Sequence, residues 1–160
     1  MRSKEPARGR TDSPELPEEL RASYTRAVYR VDFPAAPVFL EVGAPSPALD
    51  GWLAANGETC FAFLSAANPG SVALTDEENR RRHQRLVARL RAGGFTPVAG
   101  ESFAATSGAW REASLLVGGM AREAAIRLAG EFGQAALLCG GIGGPVELVP
   151  AAGPAGELRR

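Results

Sequence analysis

Lysine and histidine are nearly missing from this chain. Of its 18 basic residues, 17 are arginine and one, Lys4, is lysine. The body of the chain therefore has no lysine for a Schiff base, and none for the Gly-x-x-x-x-Gly-Lys-Ser/Thr loop that cradles phosphates. His83 is the one histidine, and Cys60 and Cys139 are the two cysteines. Tetrahedral zinc needs several Cys or His ligands at close spacing, so no metal and no cofactor is expected. Two cysteines in separate apolar runs read as buried thiols in a reducing cytoplasm, the expected location. No apolar run approaches the roughly 18 residues of a membrane span, and membranes are excluded as partners on that ground. The start, Met1-Arg2-Ser3-Lys4-Glu5-Pro6, is charged with no apolar stretch behind it, unlike a secretory signal. Eighteen acidic residues balance the 18 basic ones, so no global field draws the chain to nucleic acid.

The 160 residues suit one soluble domain that needs no staple to bury a core. Residues 1–22 hold Pro6, Pro14 and Pro17 among ten charges, a composition that reads as a disordered tail. Residues 150–160 read as a second flexible tail, leaving a single α/β domain over 23–149. Within it, Tyr24–Phe33 and Val38–Val42 flank a Pro-Ala-Ala-Pro turn as a hairpin. Ser46-Pro47 caps a helix that ends at Gly57. Cys60–Leu64 is a central strand. Thr75-x-x-Glu78 opens a helix to Ala92, closed by Gly93-Gly94. Phe95–Ala99 is a strand, with Pro97 suggesting an edge, and Glu101–Arg111 is a polar loop. Ser114–Val117 is a strand, Ala121–Phe132 a helix, and Ala135–Cys139 and Val146–Val149 the last strands. The order ββαβαββαββ predicts an α/β (α+β) fold: a mixed sheet of six to seven strands with three helices.

Four segments carry candidate chemistry. Asn68-Pro69-Gly70-Ser71 follows the buried strand and precedes the capped helix, where Asn68, Ser71 and backbone N–H groups can hold a polar or anionic group; ordinary turn chemistry is the plainer explanation. On the helix, Asn79, His83, Leu86 and Leu90 form one stripe at helical spacing. With Arg82 on its flank, the polar part of the stripe extends the core face toward that loop. A single histidine without a partner is weak evidence for catalysis, and His83 reads first as core-edge cover. Glu112 and Ser114 share a strand face beside a long loop, and Glu112 is a candidate acid/base carboxylate. Gln134, after the helix stop Phe132-Gly133, can bind an amide or hydroxyl. The arginines of Arg80–Arg91 follow Asp76, Glu77 and Glu78, which is the charge order of a solvated helix; nucleic acid is the minority reading. Gly140–Gly144 runs into an extended segment and is not a dinucleotide fingerprint.

Taken in order, Ala66-Ala67-Asn68-Pro69, Glu78-Asn79 with Arg82, Glu112-Ala113-Ser114 and Phe132-Gly133-Gln134 resemble the bacterial domain-of-unknown-function family 3293. The likeness covers about 24–149. The family's pattern carries Trp where Ala67 stands and Pro where Ala113 stands, which implies an altered site if that Trp lines a pocket. The resemblance implies a small cytoplasmic bacterial protein and no particular activity.

The leading functional reading is a small-ligand or nucleotide-type binding domain, its ligand polar or anionic. It places Asn68, Ser71, Asn79, Arg82, Ser114 and Gln134 around one polar cleft. The alternatives are an enzyme using Glu112 or His83 as acid/base there, and an interaction module using the Arg-rich helix or a sheet edge. Ligand identity and oligomeric state are open at this stage.

Overall fold

The computed structural model describes residues 15–153. Its elements are α1 (Glu18–Arg26), β1 (Val28–Val31), β2 (Val38–Leu40), α2 (Pro47–Ala55), β3 (Cys60–Ser65), α3 (Asp76–Ala92), β4 (Val98–Phe103), β5 (Glu112–Gly118), α4 (Arg122–Glu131), β6 (Ala136–Gly141) and β7 (Glu147–Pro150). The seven strands form one sheet in the order β2-β1-β4-β5-β3-β6-β7. The α+β class and the run of elements from the first strand onward agree with the sequence reading.

Four features differ. Every strand pair in the sheet is antiparallel, so the sheet is not mixed. The one parallel link is an isolated bridge between Val42 and Val146, which with Pro45–Pro145 draws the segments beside the two edge strands together and curls the sheet. A fourth helix, α1, occupies Glu18–Arg26, where a tail and the start of a strand were expected. None of its residues is fully buried, and the side that faces the sheet is carried by the half-buried Leu20 and Tyr24. At the other end, Pro150 completes β7, and Ala151 is buried with its N–H bonded to Ala135 O. Residues 1–14 and 154–160 of the expected tails lie outside the described residues. Finally, β4 spans Val98–Phe103 in the sheet interior, with Pro97 just before it rather than in an edge strand.

Alternation along the central strands sorts two cores. Ala62 and Leu64, Leu115 and Val117, and Leu137 and Cys139 face α3 and α4, meeting Leu86, Leu90, Leu128 and Phe132. Phe61 and Phe63, Leu116, and Leu138 face the other way, onto Leu49 and Leu53 of α2 and Tyr29 and Val31 of β1. Both faces are covered, which is why these strands read as unbroken apolar runs. Local signals hold as read: Ser46 Oγ accepts from Leu49 N (3.4 Å) and Thr75 Oγ1 from Glu78 N (3.2 Å). The ends of β3 and β4 and the starts of β5 and β6 share one end of the sheet, with the α1–β1 junction beside them.

Candidate functional site

The segment leaving β3 at this end takes an uncommon path. Asn68 and Ser71 have φ of 48° and 60°, with Gly70 between them at 64°. A left-handed backbone is tolerated by Asn better than by most residues. Asn68 is also tied on both sides: its Oδ1 accepts from Leu74 N (3.0 Å) and Asn79 Nδ2 (2.9 Å), and its N–H donates to Asn79 Oδ1 (2.9 Å). Arg82 joins this segment to the turn after α4. Its Nε donates to Ala66 O (2.6 Å) and its Nη2 to Phe132 O. Burial, and secondarily the charge of Arg85, lowers the Arg82 pKa. Gln134 Nε2 donates to Ala67 O (2.9 Å), and Gly70 N to Gly133 O (2.9 Å). Gly133 has φ of 72°, and a Cβ there would lie 2.6 Å from Pro69 Cβ. Only glycine allows both the turn and this approach.

Against this clamp lies a cleft of about 220 Å³. Tyr24, Trp110 and Phe103 contribute aromatic walls; Glu112, Ser102 and Gln134 contribute polar atoms. A smaller chamber of about 40 Å³ shares Tyr24, Tyr29, Ser102, Glu112 and Gln134 with it and reaches Ser65 and Ser114. Ser114 is 1 % exposed, its Oγ 3.3 Å from Ser102 Oγ. Burial pushes the Glu112 carboxyl up from 4.5 to about 7, and the polar side chains of Asn68 and Ser65 partly offset this. Burial likewise raises Tyr24 and Tyr29, with Glu112 adding to both. Tyr29 Oη donates to Tyr24 O, which fastens the end of α1 over the cleft. Among the described residues, no Arg, Lys or His lines the cleft. The nearest in sequence to Glu112, Arg111, pairs with Glu101 and sits 4.5 Å from the Phe103 ring centroid.

The residues picked out from sequence fall into three groups. Asn68, Ser71, Glu112 and Gln134 border the cleft, and Ser114 lines the chamber beneath it. Asn79 and Arg82 stand behind the cleft and hold its loops. His83 borders none of these cavities; burial lowers its pKa, and its Nδ1 is buried without a partner among the described residues. Sequence reasoning missed Tyr24, Tyr29, Ser102, Phe103 and Trp110. Ala67 is 5 % exposed and does not border the cleft.

The thiols lie elsewhere. Cys139 is buried, its pKa raised by burial to about 11, and Cys60 is partly buried. Among the described residues, no group of three or more His, Cys, Asp or Glu is placed to hold a metal ion. No helix there is long and apolar enough to cross a membrane.

Residues 64–137 match the family model described as Protein of unknown function (DUF3293). No curated protein and no solved structure matches the chain. The matched segment runs from β3 into β6, so it contains the loop at Asn68, the helix bearing Asn79 and Arg82, the strand start at Glu112 and the turn at Gln134. This match supports assigning the chain, over these residues, to the DUF3293 family.

Proposed function

We propose that the protein binds a small polar organic molecule in the cleft between α1 and the open end of the sheet. One observation carries this reading. The three non-glycine residues with left-handed backbone among those described, Asn68, Ser71 and Trp110, all border the cleft that also holds Glu112. Such conformations cost about 1–3 kcal/mol each and gather at functional sites, where surrounding structure holds them. The clamp formed by Arg82, Asn79 and Gln134 is that surrounding structure. The absence of a basic side chain from the described lining gives no support to an anionic ligand.

The test is a thermal-shift screen of the full chain against amino acids, amines, nucleotides and sugar phosphates, repeated on Glu112→Gln. A ligand at about 100 times its Kd adds roughly 2.7 kcal/mol of apparent stability. The reading requires a shift in the parent that is reduced in the variant. A hit with equal shifts in both proteins, or no hit in the set, counts against it.

A second reading is an enzyme that uses Glu112 as a general acid/base. Its support is the carboxyl held at about 7, where it exchanges protons readily at neutral pH. His83 does not share this role, since it borders neither cavity. Slow turnover of a bound compound, with a pH profile that bends near 7 and is lost in Glu112→Gln, separates this reading from binding alone.

A further inference from the structure

We infer that the cleft selects a small planar cation with paired N–H donors, a guanidinium or amidinium group, with Glu112 as its counter-ion and aromatic rings as its walls. The inference rests on the cleft being the binding site proposed above.

Three observations lead there. The first is charge. Glu112 is the one Asp or Glu among the lining residues, and among the described residues it makes no ion pair. The arginines closest to the cleft are committed elsewhere, Arg82 to two carbonyls and Arg111 to Glu101. A buried carboxylate without a cation is costly, so a ligand cation gains what the protein does not supply. The second is hydrogen-bonding capacity. Gln134 spends its Nε2 on Ala67 O and Phe132 O, and its carbonyl oxygen has no partner among the described residues. The free carbonyl oxygen of Gln134 and the Glu112 carboxyl, whose burial Asn68 and Ser65 offset only in part, are acceptors, which suits a donor-rich ligand. A carboxylate takes two parallel N–H bonds from a planar fork. The third is the wall. Tyr24, Phe103 and Trp110 line the cleft, aromatic rings attract cations, and one guanidinium is already held this way beside it, Arg111 over Phe103 at 4.5 Å. A volume of about 220 Å³ is below the usual range of roughly 300–1,000 Å³ for drug-sized ligands, so a single ring or short chain fits.

The titratable groups facing the site are Glu112 of β5, Tyr24 of α1 and Tyr29 of β1. Both tyrosines are raised from 10.0 and stay neutral at physiological pH, so Glu112 alone sets the charge. The probes are benzamidine, its neutral isostere benzamide, and the anion benzoate, titrated into the full chain at pH 8. Binding is read by calorimetry and by amide NMR shifts of Ser71, Trp110 and Gln134. Benzamidine is expected to bind at least about tenfold more tightly than the other two. Glu112→Gln is expected to weaken it by about tenfold or more, and Trp110→Ala, at an exposed position, by several-fold. Affinity in the parent should fall toward about tenfold per pH unit below 7, with proton release on binding. Benzamide or benzoate binding at these residues as tightly as benzamidine overturns the cation assignment and leaves the cleft as a binding site. No binding by any probe also overturns the assignment, and the broader screen then decides the cleft. Benzamidine binding untouched by both substitutions overturns the assignment and the cleft together.

Discussion

Replacing Glu112 with Gln should make the protein more stable at alkaline pH, which is the opposite of what loss of a charged side chain in a polar cleft would suggest. The Glu112 carboxyl has a pKa of about 7 in the fold against 4.5 for an unperturbed group, because burial disfavours its charge. The folded state therefore holds the proton more tightly than the unfolded chain. The stability this gives is full below pH 4.5 and is lost as pH rises through about 7. The two pKa values set a ceiling of about 3 kcal/mol, at roughly 1.4 kcal/mol per pKa unit. Solvent at the cleft mouth screens part of this, and about 1–2 kcal/mol is the expected effect. Gln has nearly the same shape and never ionises. Urea unfolding of both proteins at pH 5, 6, 7 and 8 isolates the carboxyl, since every other titrating group is shared. Relative to the Gln variant, the parent should lose about 1–2 kcal/mol between pH 5 and 8, or about 3–6 °C in Tm. A difference that is flat across this range, or that favours the parent at pH 8, refutes the account of Glu112 as an acid whose charge burial disfavours.

The clamp behind the cleft makes further predictions. Arg82→Lys should destabilise the fold by about 2–3 kcal/mol in urea unfolding, because one ammonium cannot serve the Ala66 and Phe132 carbonyls as the guanidinium does. Gly133→Ala should cost about 2–4 kcal/mol, combining positive-φ strain with the approach to Pro69; a loss below 1 kcal/mol would show that the turn yields. Asn68→Ala should cost about 2 kcal/mol and Asn68→Gly measurably less, since glycine restores the backbone at φ of 48° but not the bonds to Leu74 and Asn79. Thr75→Ala should remove about 1 kcal/mol by unsatisfying Glu78 N at the start of α3.

Most of the fold was legible because its elements announce their own ends. Ser46-Pro47 and Thr75 start α2 and α3 where read, and the runs Cys60–Leu64 and Ser114–Val117 fall in strands buried on both faces. Helix α1 escaped because three prolines and dense charge hide it. A signal was nevertheless present: Leu16, Leu20 and Tyr24 recur every fourth residue, and Glu18 and Glu19 precede Arg26 in the order a helix dipole favours. Strand β4 was misplaced because Gly100-Glu101-Ser102 looks like loop. That polarity has a reason, since this half of the strand ends at the cleft, where Ser102 is part of the wall.

The same contrast explains what sequence could say about the site. Asn79 and Arg82 stand out because a helix stripe turns polar toward a loop, yet both act by holding that loop. Tyr24 and Trp110 stand out by nothing local: one lies in a charged segment, the other in a long loop. Their role depends on α1 crossing the open end of an antiparallel sheet, a long-range arrangement that no short spacing encodes. The rule that ligands gather beyond the carboxyl ends of parallel strands pointed to Asn68 for a reason the fold does not honour. Here the strands alternate in direction, and the cleft arises because carboxyl ends of β3 and β4 meet amino ends of β5 and β6. The polar residues converge because they sit at or just beyond the ends of β3, β5 and β6 that meet here. Asn68 follows β3, Glu112 begins β5 and Gln134 precedes β6, so the sheet that buries the core also gathers the groups that face the cleft.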